Sequence, residues 1–583
     1  MLEPALPAPF MSPALWIAWL LRDDARDGAA LGDPEAQRDF VAWWLLAGRR
    51  DYPDAPPLEP PALAVAQEPV TVAPGVTLPR FLAVAWRAHP HLAEAFDLAE
   101  PRGLARYLCW FCVVAVPHYG IAALVSRSLV AAVFEPDEGT PPLGHRRPSR
   151  LERFVWDSAP ALQSRFDLAT AEGQDGFVHW FAERGAAASG LGWLFAEAVP
   201  LSPAVPRRGA LAPGGVNLIG FAYGQLGVGE DMRMLATACG AAEIPFCVVA
   251  RTPIGERGPE DRLLAPRAVP APVYDTSILC MTGLDTGLQL LERPSLLDDG
   301  AYRIGYWPWE LPHWPGEWQC AFGLVDEVWA SSRYTLAAYE EATLLPLRQM
   351  PLAVSVDRIV MRSRAAFGLP EDRLLFLYVF DGHSYIARKN PEAVVAAFRQ
   401  AFPTGSEPVG LVLKMMGGDR TDPRETALFA SIAEDPRIMV IDGVIPRGEV
   451  LGLIAACDIY VSLHRAEGFG RTIAEAMLLR RPVIATGFSG SDELVGPETA
   501  LPVAWGRRAV GPDEYPFGDG QWWADPDIDH AAWCLRRLAD SPSARARLAE
   551  SAYRHVSGRH APALVGARYA ARLAEIARNR IGG

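Results

Sequence analysis

The chain has 583 residues, which at roughly 150 residues per domain suggests three or four domains. Half of the residues are apolar and 21% are charged, a balance that excludes wholesale disorder. The formal charge of −14 argues against a basic surface that holds nucleic acid, and eight irregularly spaced cysteines make no disulfide framework and point to a reducing compartment.

No basic, apolar leader follows Met1, so no secretory signal is expected. The first 200 residues read as helical with a weak repeat. Phe96-Asp97-Leu98, Gly103, Tyr107 and Trp110-Phe111 return 70 residues later as Phe166-Asp167-Leu168, Gly173, Phe177 and Trp180-Phe181. Phe40 and Trp43-Trp44 form a more degraded copy. An aromatic three residues before a tryptophan lies on one helical face, so these rings are expected to pack one unit on the next rather than form a carbohydrate face. The apolar run from Tyr107 to Val125 is broken by Pro117 and Gly120 and reads as buried helix, not a membrane span. Pro/Ala-rich segments at 54–79, 137–148 and 200–213 read as linkers, the last as a domain boundary.

After Pro213 short β-rich runs alternate with helical patterns. Strands are expected at 216–221, 246–250, 277–281, 302–306 and 327–330, then at 374–380, 409–415, 438–441, 459–463 and 482–486, with a hinge near 346–370. Such alternation predicts two doubly wound α/β domains facing a cleft, with ligands outside the carboxyl ends of the strands. The expected domains are 1–205 (helical), 213–365, 366–560, and a helix at 561–583 that crosses back to the first α/β domain.

The strongest motif runs from Glu467 to Met477: Glu467-Gly468-Phe469-Gly470-Arg471-Thr472-Ile473-Ala474-Glu475-Ala476-Met477. It follows a strand and opens a helix, so Gly468, Phe469 and Gly470 can bring backbone amides close to a ligand. Glu475 falls in the second turn, so the two glutamates can grip hydroxyls at different points of one ligand. Gly224 to Gly229, between the first strand and its helix, can present amides to a diphosphate, chiefly at Gly227 and Gly229. His464 and Arg465 stand at the strand end and are expected to line the cleft. Glu310 lies amid Trp307, Trp309 and Trp314, rings that suit either sugar stacking or a core cluster. Only two lysines, Lys389 and Lys414, survive in a chain otherwise committed to arginine, and such a residue suits a site that wants a compact point charge. No metal-binding spacing of His and Cys occurs, Cys109 and Cys112 read as core, and no Asp-x-Asp pair or nucleophile-elbow serine is found.

Val461 to Leu494 resembles the donor-site signature of family-4 glycosyltransferases, which have the GT-B fold. Asp381 to Pro391, ending Arg388-Lys389-Asn390-Pro391, resembles that family's phosphate-binding segment, and Asn217 to Arg233 its first strand, glycine loop and helix. Tyr306 to Pro312 and Val325 to Ala330 resemble bacterial polysaccharide-type members; the likeness covers about residues 213–575. It implies that Glu467 bonds the donor sugar, that Glu475 binds the ribose, and that Lys389, helped by Arg388, neutralises the leaving diphosphate. The arginine that members often carry five or six residues before this lysine is replaced by His383 and Ser384. Lys414 is expected on the nucleotide rim, and Glu310, Trp309 and Arg465 on the acceptor side.

The resemblance thus implies a retaining, metal-free transfer of sugar from a nucleotide-diphosphate sugar to an acceptor hydroxyl. The nucleotide sugar is a co-substrate, and no cofactor is expected. Acceptors in view are a saccharide, a lipid-linked saccharide for a surface polysaccharide, or a protein. The expected location is cytoplasmic, with peripheral contact at the inner face of a membrane left open, as is a partner or self-association through the helical region. Two other readings stay open: a binding or scaffold protein on a degenerate GT-B fold, and a nucleotide-sugar epimerase or phosphorylase.

Overall fold

The computed structural model describes residues 6–194, 211–252, 261–297, 300–417 and 423–581. The chain divides into two compact units, one of residues 5–208 with 288–294, the other of residues 209–287 with 295–583.

In the first unit the sequence repeat is a structural one. Helices Arg80–Arg87, Pro90–Ala95 and Pro101–Trp110 and a π-turn at Phe111–Ala115 recur as Arg150–Asp157, Pro160–Arg165, Ala171–Trp180 and Phe181–Gly185. The repeated residues explain themselves. Trp86 Nε1 donates to the Phe96 carbonyl at 3.2 Å, and Trp156 Nε1 to that of Phe166 at 2.9 Å. A Cβ on Gly103 or Gly173 would stand 2.0 Å from the carbonyl oxygen of Asp97 or Asp167, so both helix starts admit only glycine. Tyr107 and Phe177 are fully buried and stack on Trp110 and Trp180 of their own helices, so these rings pack within each repeat rather than from one unit to the next. The stretch read as a linker at 54–79 is instead ordered: helix Pro60–Ala66 is followed by the antiparallel hairpin β1 (Pro69–Ala73) and β2 (Val76–Pro79). Its Ala/Pro composition hid a short helix with proline at its first turn, where no backbone donor is lost. The 200–213 boundary lies, up to residue 210, outside the described residues.

The second unit carries two six-stranded, all-parallel sheets. The first has the order β4-β3-β5-β6-β7-β8, from β3 (Val216–Gly220), β4 (Phe246–Ala250), β5 (Thr276–Cys280), β6 (Tyr302–Tyr306), β7 (Glu327–Ala330) and β8 (Leu347–Gln349). The second has the order β11-β10-β9-β12-β13-β14, from β9 (Leu374–Asp381), β10 (Val409–Met416), β11 (Ile438–Asp442), β12 (Ile459–Ser462), β13 (Val483–Thr486) and β14 (Leu501–Val503). Central strands such as β3, β5 and β12 are buried throughout, as expected of sheets covered by helices on both faces. This is the GT-B fold. Both sheets reverse strand order beside their first strand, β3 or β9, and such switch points open crevices for ligands.

In this unit β8, β14 and one hairpin fall outside the predicted elements. An antiparallel hairpin, β15 (Trp505–Ala509) and β16 (Trp522–Pro526), stands apart from the second sheet. The last helix, Pro562–Ile581, packs on helix Gly227–Ala241 of the first α/β domain. A Cβ on Gly566 would meet the Ala238 carbonyl at 2.1 Å, Tyr569 donates to the Pro351 carbonyl at 3.0 Å, and Arg572 Nε donates to buried Glu327 at 2.9 Å.

Candidate active site

A cavity of about 460 Å³ opens between the carboxyl ends of the two sheets. Two helices begin at its wall from opposite domains. One, Gly227–Ala241, starts after β3 with Leu226 at its N-cap; the other, Arg471–Leu478, starts after β12 with Gly470. Neither N-cap side chain bonds the exposed amides, and so both positive helix ends are left facing the cavity. Gly470 has φ +86°, a left-handed conformation that favours glycine and lets the chain turn from strand to helix. Non-glycine residues with positive φ cluster here as well: Tyr385, Asn390 and Ser489. Asn390 is held by its side-chain bond to the Leu463 carbonyl (2.9 Å), and Ser489 by accepting from the Glu467 amide (2.8 Å).

The ionised centre lies on the loop after β12 and the short helix Ile386–Lys389. Lys389 Nζ donates to the Glu467 carboxylate, and Arg388 Nη1 stands 3.4 Å from the other oxygen of Glu467. Burial works to raise the Glu467 carboxyl, but Lys389 and then Arg388 outweigh it and hold it down at about 2. Burial, with Arg388 beside it, lowers the Lys389 ammonium. Arg388 also donates to the Ala466 carbonyl and reaches across the cleft to Glu310, whose Oε1 is 3.9 Å away. Glu310 is fixed from the other side by Tyr515 on the β15–β16 connection, whose hydroxyl donates to Oε2 at 2.5 Å. A chain of charge and hydrogen bonds thus crosses the cavity from Tyr515 through Glu310, Arg388 and Glu467 to Lys389.

The remaining wall is equally polar. Lys414, at the end of β10, donates to the Met415 carbonyl at 2.7 Å and to that of Gly443, and burial lowers its ammonium to about 8. Arg471 Nε donates to Asp231 at 2.9 Å, an ion pair between the two domains. The Gly468 carbonyl accepts from Ser332 at 2.8 Å, a second link between them. Arg447, the first residue of helix Arg447–Ala456, pairs with Glu475 and lies 3.6 Å from Glu230.

The expected donor residues Glu467, Lys389, Arg388, Gly468, Phe469, Gly470, Lys414 and Gly227 all line this cavity, as does Glu310. Five others take different places. Glu475 is buried behind Arg447 and reaches the cavity only through it. Gly229 serves packing, since a Cβ there would stand 2.3 Å from the Gly224 carbonyl. His464 is fully buried; its ring nitrogens meet Ser462 at 3.0 Å and Ser491 at 2.9 Å, and burial lowers its imidazole to about 4. Trp309 is buried in a cluster with Trp314 and Trp318, its indole N–H donating to the His313 carbonyl, which answers the open question in favour of a core cluster. Arg465 turns to a second cavity of about 480 Å³, shared with Arg399, Arg424 and Arg508, and is held by the Ala387 carbonyl.

Sequence reasoning missed Arg447, Asp231 and Tyr515. Arg447 follows Gly443-Val444-Ile445-Pro446 at the carboxyl end of β11, a position where a ligand-facing residue is expected. Tyr515 sits in a Gly/Pro-rich connection with no periodicity to mark it.

Residues 377–508 match the family model described as Glycosyl transferases group 1. Among solved structures the chain is similar to sucrose-phosphate synthase from Thermosynechococcus elongatus (15% identity, TM-score 0.47), over 63% of this chain and 99% of that one. It is also similar to HepE from Anabaena in complex with UDP and glucose (15% identity, TM-score 0.44, 62% of this chain and 99% of that one). A third is WaaG, a glycosyltransferase involved in lipopolysaccharide biosynthesis (14% identity, TM-score 0.43, 61% and 99%). No curated protein sequence matches the chain.

Proposed function

We propose that the chain is a family-4-type, retaining glycosyltransferase that moves a sugar from a nucleotide-diphosphate sugar to an acceptor hydroxyl, without a metal ion. The observation that carries this reading is the convergence of Lys389, Arg388 and two uncapped helix N-termini on one cavity beside the carboxylate of Glu467. Cations and free amides suit the diphosphate, and the ionised carboxylate suits the hydroxyls of the sugar. The match of residues 377–508 to a glycosyltransferase family supports it.

In the reaction the bond between the sugar's anomeric carbon and the diphosphate oxygen breaks, and its electron pair leaves with the nucleotide. Lys389, Arg388 and the helix amides stabilise the charge that develops there. The acceptor oxygen bonds the anomeric carbon from the same face, and its proton passes to the departing phosphate oxygen. Glu310, fixed by Tyr515 on the opposite wall, holds the acceptor hydroxyl. Fixed cations at the leaving group supply the stabilisation without metal. Among the described residues no three His, Cys, Asp or Glu side chains group as ligands would. The acceptor we favour is a saccharide of a glycoconjugate. Among the described residues no helix is long and apolar enough to cross a membrane.

The test is thermal unfolding with UDP, GDP, ADP, TDP and CMP. At a hundredfold excess over its dissociation constant the right nucleotide adds about 2.7 kcal/mol, a rise of roughly 2–4 °C for a unit of this size. No shift with any of the five would overturn the reading. The anomeric configuration of the product, read by NMR, decides retention.

A further inference from the structure

Six cations line the cavity, and four of them are engaged in ways that a ligand cannot readily undo. Arg233 donates to Glu230 and to the carbonyls of Ala222 and Gly224, and Lys414 holds two carbonyls. Arg388 holds the Ala466 carbonyl between two carboxylates, and Arg471 closes on Asp231 through two nitrogens. Lys389 is the phosphate cation of the proposed reaction, and the usual second cation of that clamp is replaced by His383 and Ser384. Arg447, like Lys389, is held among the described residues by carboxylates and by no carbonyl. Its hydrogen bond runs from Nη2 to Glu475, while its Nε is buried without a hydrogen-bond partner. The second oxygen of Glu475, a residue only 1% exposed, is likewise buried without one.

Buried polar atoms without partners are costly, and the two ends of this pair lack opposite things. The guanidinium Nε, 3.6 Å from Glu230 and beyond hydrogen-bond reach of it, lacks an acceptor, and the second oxygen of Glu475 lacks a donor. A ribonucleoside diphosphate carries both: hydroxyl donors on the ribose and acceptor oxygens on the phosphates. We infer that Arg447 is the second cation of the diphosphate clamp, held in reserve by Glu475 and released to the phosphates when the ribose takes that carboxylate. The inference rests on the nucleotide-sugar reading and names the residue that this chain uses in place of the missing arginine. The helix start is tied to the 358–360 segment: the Gly448 carbonyl accepts from the Val360 amide at 2.9 Å, and a Cβ on Gly448 would stand 2.4 Å from the Arg358 carbonyl, so the exchange asks only for a movement of the Arg447 side chain. The exchange is also balanced in charge. Two phosphate charges meet Lys389 and Arg447, while Glu467 and Glu475 turn to uncharged hydroxyls and Glu230, 3.6 Å from Arg447, keeps Arg233 as its partner.

The experiment compares calorimetric affinities of UDP, GDP or ADP, whichever the wild type binds, with those of the matching nucleoside, in the full chain and in Arg447→Met. The expected result is a loss of about tenfold to a hundredfold for the diphosphate, with the nucleoside bound equally well or better because Glu475 has been freed. Arg447→Lys should recover part of the diphosphate affinity. An unchanged diphosphate affinity overturns the inference, and so does an equal loss for nucleoside and diphosphate, which would place Arg447 on the ribose or base. Should Arg447→Met fail to fold with Glu475 unpaired, Glu475→Gln is compared with the Arg447→Met/Glu475→Gln double variant. There the added change must weaken the diphosphate and spare the nucleoside; weakening neither or both overturns the inference. A wild type that binds no nucleoside diphosphate defeats the nucleotide-sugar reading itself, and that result is seen before any variant is made.

Discussion

Replacing Lys389 by methionine removes one charge from the cavity and keeps most of the stem. The ammonium it deletes sits on the Glu467 carboxylate, where a diphosphate between the two uncapped helices would meet it. A unit charge about 4 Å away at an effective dielectric constant of about 20 is worth about 4 kcal/mol. Bond breaking adds roughly half to one unit of negative charge to the leaving group, so Lys389 contributes about 2–4 kcal/mol selectively to the transition state. That corresponds to a fall in kcat of about 30-fold to 1000-fold. The loss is limited because Arg388 stays 3.4 Å from Glu467 and still faces the leaving group. Arg388 also keeps Glu467 paired, so the variant should fold. The assay is initial-rate release of nucleoside diphosphate at saturating donor, with thermal unfolding as the control. A folded Lys389→Met with kcat within threefold of the wild type refutes the reasoning, and a loss confined to KM would move Lys389 from catalysis to ground-state binding.

Lys414, lowered by burial to about 8, loses its charge as pH rises through that value. Donor affinity should therefore fall on the alkaline side, and Lys414→Arg, which stays protonated, should flatten that limb of the KM profile; identical profiles for the two proteins would remove Lys414 from the phosphate site. His464→Ala leaves two buried serine hydroxyls and a void, and should lower stability by about 2–4 kcal/mol while the KM for donor changes less than threefold. An unchanged melting temperature with a raised KM would return His464 to the ligand.

The sequence alone determined the alternation of strand and helix, the 70-residue repeat and its glycines, and the loop that presents Glu467. These are local properties: periodicity, turn residues and helix starts are written within a few neighbours of each other. Lys389 and Lys414 were legible for a compositional reason, as the two lysines in an arginine-rich chain. The tertiary structure decided which charges meet. Arg471 and Asp231 are 240 residues apart, and Tyr515 and Glu310 are 205 apart, so no local pattern could pair them. It also decided which way the ends of strands point. His464 is two residues beyond Ser462, and the twofold alternation of an extended chain sends both side chains to the same side, where Ser491 receives the ring inside the domain. Arg465 departs on the other side, toward the second cavity. Glu475 was rightly placed on its helix, but only packing of the β11 loop against that helix could show that Arg447 stands between it and the cavity.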